Sequence, residues 1–328
     1  AASNGIVSGE KNVAVGHYSL FSLTTGTNNV AVGANTLDDN TTGAENTAIG
    51  SAALSANTTA SYNTAVGGDA LKDNVTGGQN AAFGYKALED NTTNNNTAFG
   101  AYAASLTTTG GDNTAVGQAA LYTNTTGTNN TAIGLKALYL ATTASNNTAV
   151  GKDALYANTT GAANTAVGSL ALDANTTGTR NTAVGYQALS ANTTADDNTA
   201  VGRQALLATT TGASNTALGK SALTDNGTGD YNTAVGMNCL LANTTGTQNV
   251  AVGAFALDAN TTASNSTAIG HLALSANTVS GSTAVGHRAL HSNTTGAGNI
   301  AIGKDALYTN TTGQYNISIG YDSLQQSN

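Results

Sequence analysis

The sequence predicts an all-β chain wound as a parallel β-solenoid of about nineteen coils with a 17-residue repeat. Three observations carry that expectation. A glycine preceded by Asn-x-Ala-(apolar) recurs from Gly16 and Gly33 to Gly303 and Gly320. Its spacing is 17 residues everywhere except two intervals of 16, ending at Gly100 and Gly286. Around it each column keeps its residue type, the pattern of stacked equivalent units rather than of one irregular core. The expected organisation is a single continuous repeat domain over 1–328, with a partial N-terminal coil at 1–11 and a final partial coil at 321–328.

With that glycine as position 0, position −1 is always apolar, as in Val15, Val66, Val150 and Val184. Position +4 is leucine in eighteen coils, among them Leu20, Leu71, Leu155 and Leu189, with Ala104 the exception. Position −2 is alanine in eighteen coils, with Ser318 the exception; position +3 is small, and position −4 is Asn or Ser. Positions +7 to +10 read Asn-Thr-Thr-Gly with few departures, the residue types of a turn that tolerates left-handed backbone. Positions +1, +2, +5 and +12 vary and hold all twelve tyrosines.

Alternation along a short strand puts −3 and −1 on one face and −2 on the other. The β-branched residues at −3 and −1 are expected to point inward, with the −1 residue meeting the +4 leucine, so Val15, Val66, Val150 and Val184 are core candidates with Leu20, Leu71, Leu155 and Leu189. A helix is excluded, because apolar residues do not recur at i, i+3 and i+4, and Gly, Asn and Thr are poor helix formers. Parallel stacking about 4.8 Å apart would give a rod on the order of 90 Å long with identical residues in register.

On this reading the alanine column faces away from its own core. A solvated column would drift to polar residues, so something lies close against it, either the opposite wall of a thin coil or a neighbouring chain. One Val and one Leu bury little apolar surface against the cost of ordering seventeen residues, which favours a neighbour. Ala14, Ala31, Ala48, Ala65, Ala149 and Ala183 are therefore oligomer-contact candidates, near the axis of a parallel homotrimer.

Composition narrows the function classes. Asn, Thr, Ala and Gly with only 9% charged residues would also describe a disordered tract, but strictly placed Val, Ile and Leu exclude one. A net charge of −8 spread without runs argues against a nucleic-acid partner. The single cysteine, Cys239, permits no intrachain disulfide and, at a position where Ala is the rule, reads as a small core residue. No run of eighteen apolar residues is present for membrane insertion. The chain opens Ala1-Ala2-Ser3 without Met or a charged-then-apolar leader, as expected of a processed product or a piece of a longer protein.

Asn12-Val13-Ala14-Val15-Gly16, Asn249-Val250-Ala251-Val252-Gly253 and Asn299-Ile300-Ala301-Ile302-Gly303 resemble the head repeats of trimeric autotransporter adhesins, whose motif runs Asn-Ser-Val-Ala-Ile-Gly-x-x-Ser. The opening Ser3 to Asn12 also looks like the start of such a head, and Asn181 to Leu189 is similar to repeats of bacterial surface and phage tail-fibre proteins. The resemblance implies a trimeric, left-handed β-roll used for adhesion or as a spacer. The longer second half of each coil, Ala-Leu-x-Ala-Asn-Thr-Thr-Gly, departs from those heads.

Several constellations invite chemistry. The Asn-Thr-Thr segments at Asn40, Asn124 and Asn175 fit a glycosylation acceptor or, more simply, a ladder of turn asparagines. Threonine columns at +8 and +9 suggest ice binding, but only one rank would face outward and the −3 threonines are counted inward, which makes a poor lattice. His271, His287 and His291 are weak metal candidates beside the simpler reading of solvated side chains. Tyr122, Tyr139 and Tyr156 share +5 in successive coils and should form a ladder that stacks locally or binds a sugar or partner. Asp73 and Asp90, both at +6, form a solvated like-charge pair or a weak cation site. No carboxylate column of the calcium-binding nonapeptide type exists, and no nucleophile, base and orienting group converge. The expectation is a non-enzymatic extracellular fibre segment without cofactor, at a cell or virion surface, serving as spacer or filament or presenting variable columns to a host surface, matrix or glycan. It would associate with itself as a trimer and by end-to-end contacts. The alternatives are a phage tail-fibre shaft and an ice-binding solenoid.

Overall fold

The computed structural model describes residues 8–325. The first seven residues of the expected N-terminal partial coil and the last three of the final one lie outside the described residues. The chain divides into two compact units, Ala1–Ala163 and Asn164–Asn328, each wound as a parallel β-solenoid. The first holds nine three-residue strands, from Val13–Val15 to Thr148–Val150; the second holds ten, from Thr165–Val167 to Ile317–Ile319. Within each unit every strand pairs in parallel with that of the next coil, column on column: Thr47, Ala48 and Ile49 oppose Thr64, Ala65 and Val66, and Thr216, Ala217 and Leu218 oppose Thr233, Ala234 and Val235. No helix occurs among the described residues.

The strands account for only part of each coil's backbone bonding. In the coil of Gly67, Gly67 N–H donates back to Ile49 O at 2.8 Å and Asp69 N–H to Ser51 O at 2.9 Å, while Leu71 N–H donates forward to Ala87 O at 3.0 Å and Asp73 N–H to Glu89 O at 2.9 Å. The direction reverses because the backbone twists through positive φ at +2 and +4, as at Asp69 (56°) and Leu71 (51°). These left-handed residues recur in coil after coil, together with a third at +12 such as Gln79 (60°). A left-handed leucine costs about 1–2 kcal/mol, and full burial of its side chain returns about 1.5–3 kcal/mol. The balance explains why leucine, and not glycine, holds +4. A coil of 16 residues preserves this bonding by losing one turn residue. Thr93 O then accepts from Asn80 Nδ2 (2.7 Å) and Asn91 Nδ2 (2.8 Å), the role played elsewhere by the +10 carbonyl.

The two faces of the strand are the reverse of the sequence expectation. Ala31, Ala48, Ala65, Ala149 and Ala183 are fully buried inside their own coils, and Ala14, in the first coil, is half-buried. The five buried alanines are core residues, not oligomer contacts. Val66, Val150 and Val184 are half-buried on the outer face and Val15 is 57% exposed, so none of the four belongs to the interior. The threonines at −3 share that outer face. Leu20, Leu71, Leu155 and Leu189 are buried. The physical reason is the narrowness of the coil. The +3 side chain already reaches the carbonyl of the alanine on the facing strand: Ser19 Oγ lies 3.0 Å from Ala31 O, and Cys239 Sγ 3.1 Å from Ala251 O. The side chains buried in that gap are small, alanine at −2 and alanine, serine, cysteine or threonine at +3, and the residues at −3 and −1 face out. Burial pushes the Cys239 thiol up to about 12, consistent with a core residue rather than a reactive one.

Two columns of buried asparagine complete the interior. At −4, Asn46 Oδ1 accepts from Asn63 N–H (3.0 Å), and Asn63 Nδ2 donates to Gly77 O (2.9 Å), tying strand entry to the turn of the same coil. At +7, Asn57 Nδ2 donates to Asn40 Oδ1 (3.0 Å) and to Ala60 O (3.2 Å). The −4 ladder satisfies polar atoms that would otherwise be stranded in a dry interior, whereas at +7 the amide nitrogens are bonded and the buried Oδ1 atoms of Asn57, Asn124, Asn192, Asn260 and Asn310 accept no hydrogen bond.

Two expected outcomes follow. In dilute protein, Leu189→Ala costs about 2–4 kcal/mol in denaturant unfolding, whereas Val184→Ala costs about 1 kcal/mol; equal costs would return the valine to the core. At Gly117 (φ 132°) a Cβ would sit 2.5 Å from Gly134 O, and at Gly127 one would sit 2.1 Å from Ala144 O. The second position nevertheless accepts alanine in other coils, at Ala60, Ala144, Ala195 and Ala263, so its backbone can shift. Gly117→Ala should therefore lower the melting temperature well beyond Gly127→Ala.

Candidate functional site

Chemistry on this fold must come from the outward columns, because the inward ones are filled. The Asn-Thr-Thr acceptors are closed in the folded chain: Asn40, Asn124 and Asn175 are buried, and each donates through Nδ2 to the carbonyl three residues on, at 3.0 Å. The turn threonines divide into two roles. The +8 hydroxyls donate to the next coil's +8 carbonyl, as from Thr41 Oγ1 to Thr58 O at 3.1 Å, while the +9 threonines such as Thr42 and Thr59 are exposed. The −3 threonines face outward beside the −1 apolar column, contrary to the inward placement expected for them, because the alanine between them takes the interior.

The outward strand face is an apolar, charge-free surface. Its −3 and −1 positions carry Thr, Val, Ile, Leu, Phe and one Ala, and none of the chain's 28 charged residues (18 acidic, 10 basic). Large apolar side chains stand exposed along it in both units, among them Ile49, Phe99, Val116 and Ile133 in the first and Leu218, Ile269 and Ile302 in the second. Phe83 and Phe99 stack upon it with centroids 4.2 Å apart. Alternation signalled this two-rank face; the error lay in taking the −3 and −1 ranks as inward and the −2 alanines as outward.

Tyr122, Tyr139 and Tyr156 form the expected ladder, with near-parallel rings 5.3 and 5.2 Å apart. Column reading missed its extension, because Tyr85 and Tyr102 come from +1 and +2. Tyr102 meets Tyr122 edge-on at 6.3 Å and Tyr85 meets Tyr102 edge-on at 5.4 Å, so five rings run in line. The faces of the three +5 rings cover one another, leaving edges and hydroxyls for any ligand.

The three histidines do not converge. His271 and His287, both exposed, stack with centroids 5.4 Å apart and planes 12° from parallel. His291 stacks instead on Tyr308 at 5.1 Å, and burial, with Arg288 nearby, holds its proton affinity below the ordinary value. Among the described residues no group of three or more His, Cys, Asp or Glu side chains is placed to hold a metal ion. Asp73 and Asp90 behave as a like-charge pair: burial first, then Glu89 and Asp73, raise the Asp90 carboxyl.

One ion pair was not anticipated. Arg288 grips the buried Asp305 of the next coil through two bonds, Nε to Oδ1 at 2.8 Å and a terminal nitrogen to Oδ2 at 2.9 Å, and lies over the Tyr308 ring at 4.9 Å. Both residues occupy +2, so stacking alone brings them together. The guanidinium holds the Asp305 carboxyl below its ordinary 3.8 although burial pulls the other way. A depressed carboxyl contributes stability that is fully present above its unfolded-state value and is lost as the pH falls through its lower folded-state value. Asp305→Asn should therefore lower stability at neutral pH while flattening the loss of melting temperature below about pH 4. An acid limb equally steep in the variant would refute that assignment.

No family model matches the chain, and no curated protein matches it.

Proposed function

We propose that this chain is a structural and adhesive fibre segment exposed outside a cell or on a virion, assembled as a parallel homotrimer through the outward strand face and without catalytic activity. The single observation behind the reading is the charge-free −3/−1 face, on which exposed Val, Ile, Leu and Phe recur in both units. An apolar patch of that extent on a soluble protein is ordinarily covered by a partner. A second and third copy suit it, because each brings the same repeat and matches stripe to stripe. The resemblance to trimeric adhesin heads supports the threefold count, with the alanine column replaced by the −3/−1 columns as the contact. Recognition of a host surface, matrix or glycan would fall to the variable columns at +1, +2, +5 and +12. A phage tail-fibre shaft would use the same contacts.

Sedimentation of the purified chain at micromolar concentration should give a particle of about three times 32.2 kDa. Placing lysine at both Val116 and Ile133, which are 36% and 39% exposed in the single chain, should dissociate it with its far-ultraviolet circular dichroism unchanged. A monomer or dimer of the unmodified chain would sink the trimer.

The outward threonines at −3 favour one other reading, an ordered-water or ice-binding face. Against it, Phe83, Phe99 and Leu218 interrupt the evenness that a lattice match needs. Thermal hysteresis in the purified protein would decide for it.

A further inference from the structure

We propose that His271 and His287 form a surface site for a tetrahedrally coordinated transition-metal dication, Zn2+ above all, bridging two adjacent coils. The inference is independent of the fibre reading and rests on the geometry of one column. Both imidazoles project from +1, immediately after Gly270 and Gly286, whose backbones share the same conformation (φ 136° and 137°). The coils are locked in register beside them, since Arg288 N–H donates to His271 O at 3.0 Å. Neither ring is tied into the interior, and both are exposed.

The separation of the rings suits one ion. A zinc–nitrogen bond of about 2.0–2.1 Å, with the ring nitrogen about 1.1 Å from the ring centre, puts each ring centre about 3.2 Å from the metal. Two such distances span at most about 6.4 Å, so rings whose centres lie 5.4 Å apart in the stack are close enough to share one ion once each turns a nitrogen toward the other. Water would fill the two remaining positions. Imidazole is a good ligand for zinc.

The neighbouring cations are turned elsewhere. Arg288 is held on Asp305, and Lys304, next in the same column, points to the Asp305 carboxylate at 3.7 Å and lies over the Tyr321 ring at 5.1 Å. Phe255 closes the other end of the column, edge-on to His271 at 6.3 Å. The site is thus an imidazole pair bounded by an aromatic ring and an occupied lysine.

The test is titration of the full chain with Zn2+ alone by calorimetry, with Co2+ absorption to read the coordination geometry. One site should appear, with the intense visible bands of tetrahedral cobalt. His271→Gln and His287→Gln should each weaken it at least tenfold, while His291→Gln and His17→Gln leave it unchanged; all four positions are outward, and circular dichroism confirms the fold. Binding that survives the double variant His271→Gln/His287→Gln, or that is lost on changing His291 or His17, would overturn the assignment. So would an octahedral cobalt spectrum.

Discussion

Each coil lies one strand spacing from the next, so the nearest neighbour of almost every side chain is the same column of the adjacent coil. That constraint selects the residue types. Asparagine suits an inward column because one amide can donate to and accept from another, as Asn57 and Asn40 do. Glycine is required at position 0 because a Cβ on Gly117 would meet the carbonyl of Gly134. Rings tolerate self-stacking, so tyrosine and histidine form ladders. Like charges do not favour it: burial, then Glu89 and the column neighbour Asp73, raise the Asp90 carboxyl's proton affinity, whereas alternation of sign in one column produces the Arg180–Asp197 and Arg288–Asp305 grips. The two grips differ in worth. The first is exposed and screened by solvent, while the second buries its carboxylate and orders a tyrosine ring.

The narrow interior follows from the same stacking. A coil of seventeen residues has to turn several times, and it does so with left-handed residues at +2, +4 and +12 rather than with glycine alone. Leucine at +4 is the side chain that fills what space remains, and the facing strand can add only the alanine methyl. The interior is therefore less an oily core than a hydrogen-bonded one, with leucine and alanine packed between two asparagine ladders. Where Ser266 and Ser282 replace strand asparagines the ladder weakens: Asn299 N–H reaches Ser282 Oγ only at 3.4 Å.

This explains how far the sequence could be read. Period, strand position and parallel register were legible because a column that meets itself keeps its chemistry, and the glycines alone set the register. The two sides of the strand were not, since alternation separates −3 and −1 from −2 without saying which side is wet. The habit of sending β-branched residues inward decided wrongly, because it assumes an interior wide enough for them. The +4 leucines gave no hint of their positive φ, which burial compensates and propensity does not record. The tyrosine and histidine ladders were visible as columns, and the His291–Tyr308 stack shares column +5, but the part played by Tyr85 and Tyr102 was not visible, because their side chains cross between columns.

Function on such a scaffold is a matter of surface columns, and the structure separates two kinds. The −3/−1 face is constrained as a whole: with no charge in any coil, it acts over many coils at once, so a contact made there gains strength by repetition and loses little to any single substitution. The columns at +1, +2, +5 and +12 are free to vary coil by coil. Two matched substitutions in neighbouring coils there suffice to build a ring stack, an ion pair or an imidazole pair, because the backbone already holds them about 5 Å apart. A uniform, charge-free face and local, independently variable chemistry on the other columns are thus both consequences of a coil that repeats faithfully. The His271–His287 pair, two imidazoles stacked 5.4 Å apart, is one case of that local chemistry.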